Sequence, residues 1–159
     1  GRRGGRGVLH NALVASDYSL LDENDFSPKP SYWGALLWAR LMGPRVLDSG
    51  VPIAEGRHVY AHCLKGTPGG VALLAINNSA QAVALQWAGA PDAQLWQLTA
   101  PTLRSRSVLL NGQPLALGAD GQLPATPSQP LAGGATTLAA HSISFVALPN
   151  AGNAACRVS

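Results

Sequence analysis

One segment of this chain has the periodicity of an amphipathic helix, and no later segment repeats it. The segment covers residues 31–42, where aromatic and aliphatic side chains recur at helical spacing. Ser31 is predicted to cap its N-terminus, Gly43 to supply the residue after its C-terminus, and Pro44 to prevent its continuation. The chain beyond Pro44 must therefore build its core mainly from other elements.

The sequence after Pro44 predicts short strands joined by tight turns. Glycine and proline number 18 and 12, and 47% of the residues are hydrophobic, which is enough for a core. Asn111-Gly112, between two apolar runs, indicates a two-residue hairpin. Eight short strands of this kind predict a mainly antiparallel β-sandwich over residues 44–159. The predicted strands are 57–63, 70–77, 82–87, 94–98, 107–110, 115–117, 136–139 and 143–148.

The residues before the helix predict a βα unit that follows a flexible tail. Residues 1–7 are rich in glycine and arginine, and residues 8–15 predict a short buried strand. Strand, polar loop and helix together make residues 8–43 one βα unit. The basic start resembles a signal peptide, but His10 and Asn11 interrupt its apolar part. Because the first residue is not Met, we expect a processed product, a subunit or an incomplete gene model.

The distribution of charge does not predict a nucleic-acid-binding face. The net charge is +3, and three of the eleven Lys and Arg residues lie among the first six residues. The remaining eight Lys and Arg balance the eight Asp and Glu. A nucleic-acid face needs clustered basic side chains, and no cluster is visible outside the tail. No apolar run approaches the roughly 18 residues of a membrane-spanning helix. Nucleic acid is therefore not an expected partner, and no transmembrane segment is predicted.

Two cysteines and one glycosylation sequon favour the secretory pathway. Cys63 falls on the apolar face of a predicted strand, and Cys156 lies in an irregular tail. A disulfide between them would fix the tail and stabilise the fold by about 4–5 kcal/mol in the chain-entropy model. Two unpaired thiols in a cytosolic protein are the alternative. Asn77 begins an Asn-Asn-Ser sequon, so a glycan is predicted there. Together these features predict an extracellular, lysosomal or vacuolar protein.

The sequence offers little support for a metal site or for a catalytic nucleophile. On the strand 57–63, His58, Tyr60 and His62 share one face, and the two histidines are interpreted as separate surface residues. The two histidines stand about 13 Å apart along the strand, too far to bind one zinc ion. No serine nucleophile elbow or phosphate-binding glycine loop is present. No metal or cofactor is predicted.

The carboxylates do not suggest an acid–base pair. Cleavage of a glycosidic bond needs two carboxyl groups on opposite sides of the sugar. Asp22, Glu23 and Asp25 are too close in sequence for this and are interpreted as a solvated turn. The other carboxylates are scattered through the chain, at Asp17, Asp48, Glu55, Asp92 and Asp120.

Six segments in order carry a resemblance to a known family. Together they resemble the C-terminal part of heparanases, and especially of the heparanase-like proteins of plants, in glycoside hydrolase family 79. The resemblance runs from about Val8 to Cys156 and implies an α+β fragment. Residues 8–43 would be the last βα unit of a (β/α)8 barrel, and residues 44–159 a β-sandwich packed against it. The segments are NALVASDYSLLDENDFSPKPSYWGALLWARLMG, VLDSG, HVYAHCLKG, GGVALLAINNS, SRSVLLNGQPL and SISFVALPNAGNAAC.

The resemblance also implies which residues bind substrate. A Gly-x-Tyr segment of the family holds the uronic carboxylate, partly through backbone N–H groups. Its counterparts here are Ser16, Asp17 and Tyr18, with serine in place of glycine. Cys63 and Cys156 match a cysteine pair that is disulfide-bonded in the family. The general acid and the nucleophile are glutamates on earlier barrel strands, and no glutamate here matches either, so no catalytic residue is predicted.

The expected function is that of the C-terminal part of a retaining β-glucuronidase acting on glucuronic-acid-containing glycans. It would be inactive without the missing N-terminal barrel portion or a subunit that supplies it. The alternatives are a non-catalytic sandwich module that binds glycans or a protein, and a truncated product without function. A glycan-binding module would favour an aromatic platform, which the four tryptophans, dispersed over the helix and two strands, do not indicate. Without the barrel, the chain should expose an apolar helix face and an unpaired sheet edge.

Overall fold

Among the residues that the structure describes, the strands form two antiparallel sheets of unequal size. The computed structural model describes residues 12–14, 16–52 and 54–157. Its elements are α1 (Pro30–Leu41), β1 (Met42–Leu47), β2 (Arg57–Leu64), β3 (Val71–Asn77), β4 (Val83–Gln86), β5 (Ala93–Thr99), β6 (Leu109–Leu110), β7 (Gln113–Pro114), β8 (Gln129–Leu131), β9 (Ala135–Leu138), β10 (Ser142–Leu148) and a 3-10 turn (Ala154–Cys156). The larger sheet has the order β1-β2-β3-β10-β5-β6-β7, with β8 also paired to β5, and the smaller sheet is β4-β9.

The two faces of the larger sheet build separate cores. Along β3, Ala75 points into a core shared with Leu85 of the smaller sheet, whereas Leu74 points into a core under α1. Trp33 and Leu37, one helical turn apart, are the buried contacts of α1 in the second core. The predicted mainly antiparallel architecture is therefore found. Among the described residues, the layer on one side of the larger sheet has two strands, and a helix covers the opposite side.

The N-terminus of α1 differs from the prediction. The helix begins at Pro30, whose missing N–H costs nothing in the first turn. Lys29 is the N-cap and makes no side-chain capping bond, so the predicted cap Ser31 lies inside the helix. Within the described residues, no helix is long and apolar enough to span a membrane.

The C-terminus of α1 runs directly into a strand that the sequence did not predict. Met42 already has extended backbone angles, and β1 continues through Gly43 and Pro44. Gly43 is required for the close approach of β1 to β2, because a Cβ atom there would lie 2.6 Å from the carbonyl oxygen of Cys63. Proline is tolerated because β1 is an edge strand.

Most predicted strands are present with slightly shifted ends, and the hairpin is confirmed. Asn111 and Gly112 have φ of 48° and 82°, which suits the turn that joins β6 to β7. The returning strand is β7, so the predicted strand at 115–117 is wrong. The strands β1 and β8 were not predicted.

The predicted N-terminal strand is not seen in the part of it that the structure describes. Residues 12–14 are irregular, and the side chain of Leu13 is exposed. The rest of the strand predicted for residues 8–15, and the predicted tail at 1–7, lie outside the described residues.

Candidate functional site

The segment Ser16–Asp17–Tyr18 forms a tight turn ahead of α1. The backbone N–H of Ser19 donates to the carbonyl oxygen of Ser16 at 3.0 Å, which closes a four-residue turn around Asp17 and Tyr18. Neither central residue has a positive φ, so the turn requires no glycine. Asp17 is exposed, and Tyr18 is 63% exposed. The turn therefore presents a carboxylate and a phenol side chain outward.

A second set of bonds holds the inner side of this turn. The ammonium group of Lys29 donates to the carbonyl oxygen of Ser16 at 2.9 Å and to the hydroxyl oxygen of Ser19 at 3.0 Å. The Ser19 hydroxyl lies 2.7 Å from the carbonyl oxygen of Ser16 and 2.6 Å from that of Leu21, and it is almost fully buried. Neither Lys29 nor Ser19 was predicted as a site residue, since no local sequence motif links Lys29 to the turn.

The acidic segment after the turn is a solvated loop, as predicted. Asp22 accepts hydrogen bonds from the backbone and side-chain nitrogens of Asn24 at 3.0 and 3.1 Å. These bonds, the backbone one first, lower the pKa of Asp22 below its ordinary value of 3.8. Bonds from the backbone N–H and the side chain of Ser27 likewise lower the pKa of Asp25. Both carboxyl groups are thus held ionised, which does not suit a general acid.

The two glutamates of the chain lie in separate exposed turns. Glu23 belongs to the acidic loop, and Glu55 lies in the turn that precedes β2. The scattered aspartates Asp48 and Asp120 cap turns by accepting from the backbone nitrogens of Gly50 and Gln122. These carboxylates have local structural roles or face solvent.

His62 lies under α1, so its prediction as a surface residue is wrong. Its Nδ1 is 2.7 Å from the carbonyl oxygen of Gly43, and because that oxygen can only accept, Nδ1 carries the proton. The imidazole also meets the ring of Trp38 edge-on, with centroids 5.0 Å apart. The alternation along β2 was predicted correctly, but the helix covers the face that carries His62. No group of three potential metal ligands occurs among the described residues.

The disulfide between Cys63 and Cys156 is present. The sulfur atoms are 2.03 Å apart and the Cα atoms 5.3 Å apart. The bridge fastens the 3-10 turn at Ala154–Cys156 to β2, and two backbone bonds with Gly69 support it. The C-terminal segment is thereby part of the first core.

Asn77 is fully buried, which bears on the glycan predicted there. Its side-chain nitrogen donates to the carbonyl oxygens of Gln81, Leu138 and Ala139 at 2.8, 3.2 and 2.9 Å. Its side-chain oxygen accepts from the backbone and hydroxyl of Ser79. A glycan would be attached to the nitrogen that makes these bonds, so the folded arrangement opposes it.

One face of α1 and one edge of the larger sheet have no cover within the described residues. Ala35 and Ala39 are exposed on α1, and Trp38 is 40% exposed although one edge of its ring contacts His62. The strand β1 pairs only with β2 and therefore leaves its other edge open. The remaining tryptophans pack against the two cores, Trp87 against the first, and Trp33 and Trp96 in the second.

The sequence of this chain is similar to those of heparanases and of a β-glucuronidase. The chain is 38% identical over 160 residues to the heparanase of Gallus gallus, covering 89% of this chain and 30% of that protein. It is 33% identical over 144 residues to the baicalin-beta-D-glucuronidase of Scutellaria baicalensis, covering 86% and 27%. It is 31% identical over 173 residues to the inactive heparanase-2 of Homo sapiens, covering 94% and 29%. No family model matches the chain.

This chain belongs to the heparanase-like family. The heparanase-like chain spans less than a third of the length of these relatives. It also resembles solved glycoside hydrolases in fold. An arabinose-bound GH51 α-L-arabinofuranosidase matches with a TM-score of 0.51 at 17% identity, over 83% of this chain and 21% of that one. The catalytic domain of GH30 xylanase C from Talaromyces cellulolyticus matches with a TM-score of 0.50 at 18% identity, over 82% and 27%.

Proposed function

We propose that this heparanase-like chain supplies the uronate-binding turn and the β-sandwich of a retaining β-glucuronidase. The observation that carries the proposal is the turn at Ser16–Ser19, which presents Tyr18 outward just ahead of α1. A phenol and backbone N–H groups are suitable donors for a sugar carboxylate. The substrates would be glycans or glycosides that contain glucuronic acid, consistent with the names of the heparanase and glucuronidase relatives.

The general acid and the nucleophile would come from polypeptide outside this sequence. A retaining mechanism needs two carboxyl groups about 5 Å apart, one protonated and one ionised. Glu23 and Glu55 lie in separate exposed turns, and the pKa values of Asp22 and Asp25 are lowered. No pair of these groups meets the requirement, so the chain alone would not hydrolyse a glycosidic bond.

The uncovered surfaces of the chain suit a barrel as the source of those groups. In a (β/α)8 barrel the outer helices pack side by side around the strands. The small, exposed side chains of Ala35 and Ala39 would allow such close packing. Residues 8–43 would then be the last βα unit of the barrel. The open edge of β1 would pair with further strand material.

The disulfide supports a location in the secretory pathway, either extracellular or in a lysosome or vacuole. Disulfides persist where the surroundings are oxidising and are rare in the cytosol. The bridge between Cys63 and Cys156 is a structural one, because it joins the tail to the first core.

The test is a kinetic comparison made with the whole natural polypeptide that contains this sequence. 4-Nitrophenyl β-D-glucuronide and the corresponding glucoside differ only in the carboxylate. We expect Tyr18→Ala to raise KM for the glucuronide about tenfold and to leave the glucoside unchanged. Phe26→Ala is the matched control, since Phe26 is also an aromatic residue of this loop region and is 60% exposed. Equal effects of Tyr18→Ala on both substrates would contradict uronate binding at the turn.

A non-catalytic binding role is the second candidate. A relative 31% identical to this chain is named inactive heparanase-2, which favours it. Under this candidate, the whole polypeptide binds heparan sulfate or glucuronate but releases no product from either nitrophenyl substrate. Release of a product with retained anomeric configuration, detected by NMR, would support the enzyme instead.

A further inference from the structure

We propose that Lys29 is a positioning residue for the uronate-binding turn, and that it aims the backbone N–H of Asp17 at the sugar carboxylate. The inference rests on the proposed function. Lys29 would act through the Ser16–Asp17 peptide rather than by touching the substrate.

The carbonyl oxygen of Ser16 is the point at which Lys29 acts. This single oxygen lies 2.9 Å from the Lys29 ammonium group and 3.0 Å from the Ser19 backbone nitrogen, which both donate to it. It also lies 2.7 Å from the Ser19 hydroxyl, whose one hydrogen is shared with the carbonyl oxygen of Leu21 at 2.6 Å. All three lie on the inner side of the turn, where Ser19 is buried. The Lys29 bond is charge-assisted and is therefore the strongest of them.

The orientation of this carbonyl group fixes the orientation of the next N–H. A trans peptide unit is planar, and its C=O and N–H point in opposite directions. No cis peptide occurs among the described residues, so this holds for the bond between Ser16 and Asp17. With the carbonyl oxygen held inward by Lys29, the N–H of Asp17 points outward. No bond from this N–H to another described residue is present, which leaves it available to an anionic ligand.

Lys29 is itself held at a fixed place relative to the turn. Its backbone N–H donates to the carbonyl oxygen of Leu20 at 2.9 Å, and Leu21 and Pro28 form a bridge beside it. Pro28 and Pro30 flank Lys29 and restrict the backbone on both sides. The side chain is partly buried, so it loses little further freedom when it donates to Ser16.

Lys65 offers a matched control at the other end of the same helix. Its ammonium group donates to the carbonyl oxygen of Ala39 at 2.8 Å, so Lys65→Met also removes one bond between a lysine and a backbone carbonyl. Lys29→Met removes the ammonium group and keeps the length of the side chain. Lys29→Arg keeps a cationic donor. Ser19→Ala weakens the same carbonyl anchor without changing any charge.

The experiment has two readouts on the whole natural polypeptide. The first is the carbonyl ¹³C shift of Ser16 and the amide shift of Asp17, observed by NMR while sodium D-glucuronate is added. The second is KM and kcat for 4-nitrophenyl β-D-glucuronide and the glucoside. We expect Lys29→Met to move the Ser16 carbonyl shift, weaken glucuronate binding and raise KM for the glucuronide about tenfold, with kcat within about twofold. We expect Lys29→Arg to restore most of the affinity, Ser19→Ala to weaken it in part, and Lys65→Met to have no effect.

The outcomes separate this inference from the proposed function. If the natural protein binds glucuronate and Lys29→Met binds it equally well, the inference is overturned and the proposed function stands. If the natural protein binds no glucuronate, the proposed function fails and the inference fails with it. If Lys29→Met weakens binding but leaves the amide shift of Asp17 unchanged before glucuronate is added, Lys29 attracts the anion by its charge, and the positioning role is overturned. An unchanged Ser16 carbonyl shift in Lys29→Met would overturn it as well.

Discussion

The imidazole Nδ1 of His62 lies 2.7 Å from the carbonyl oxygen of Gly43, and this bond fastens the start of the edge strand β1 to its neighbour β2. A Cβ atom at position 43 would collide with the carbonyl oxygen of Cys63, so the backbone of β1 lies unusually close to β2 at this point. The register between the two strands also shifts between Met42 and Val46. His62 thus satisfies a carbonyl group where the regular strand pairing is interrupted.

Replacement of His62 by alanine should destabilise the fold substantially. The change leaves the carbonyl of Gly43 buried without a donor and removes the ring packed against Trp38, which together should cost about 2–4 kcal/mol. Urea unfolding followed by tryptophan fluorescence measures the difference. His58→Ala is the control on the same strand face, because His58 is only partly buried. Equal losses for the two variants would show that the bond to Gly43 contributes nothing specific.

The case of His62 shows how far a strand pattern can be interpreted from sequence. Alternation along β2 places His58, Tyr60 and His62 on one face, and this is what the structure has. Which face meets solvent is decided by where α1 docks, and that contact joins distant parts of the chain. Local periodicity contains no information about it.

The end of α1 gives the same lesson for the backbone. Gly43 and Pro44 correctly indicate that the helix stops, since proline cannot continue it. They do not reveal that the chain continues as β1, because that strand exists only through pairing with β2. For the candidate site, Tyr18 was predicted from a family resemblance, whereas Lys29 and Ser19 belong to no motif. Lys29 reaches the turn through hydrogen bonds to Ser19 and Ser16, which lie 10 and 13 residues earlier in the chain.

Loss of the disulfide should weaken the fold through the unfolded state. The bridge between Cys63 and Cys156 closes a loop with a sequence separation of 93. The chain-entropy model gives a stabilisation of about 4–5 kcal/mol for a loop of this size. The double variant Cys63→Ala, Cys156→Ser should therefore unfold at a much lower urea concentration, and reductant should then have no further effect. The natural chain in reductant is the control, and a midpoint unchanged by either treatment would contradict the prediction.

The carboxyl group of Asp22 should titrate below pH 3.8 because of Asn24. Folding lowers this pKa, first through the backbone N–H of Asn24 and then through its side chain. A lowered pKa means that the stabilising contribution is present above pH 3.8 and is lost as the pH falls through the folded-state pKa. Asn24→Ala removes the side-chain bond and keeps the backbone one, so it should raise the pKa of Asp22 only part of the way toward 3.8, as measured by carboxyl ¹³C NMR. Asp25, whose pKa depends mainly on Ser27, should shift far less.

Asn77 should carry no glycan in the folded protein, although it begins a sequon. Its side-chain nitrogen donates to three carbonyl oxygens, those of Gln81, Leu138 and Ala139, and the residue is fully buried. A glycan on this nitrogen would remove at least one of these bonds and would need space that the packing against β9 does not provide. Peptide mass spectrometry after enzymatic deglycosylation in ¹⁸O-labelled water measures occupancy directly, because a deglycosylated asparagine becomes a labelled aspartate.

A matched pair of substitutions separates the structural role of Asn77 from its part in the sequon. Asn77→Asp places a carboxylate oxygen against carbonyl oxygens in a buried site, so it should cost about 3 kcal/mol or more or prevent folding. Ser79→Ala also abolishes the sequon but removes only a hydroxyl at the edge of this network, so it should cost about 1 kcal/mol. Secretion and mass should therefore be almost unchanged in Ser79→Ala. A large loss of mass in that variant would contradict the prediction. It would show that Asn77 is glycosylated and that this turn adopts a different conformation, in which Asn77 is not buried.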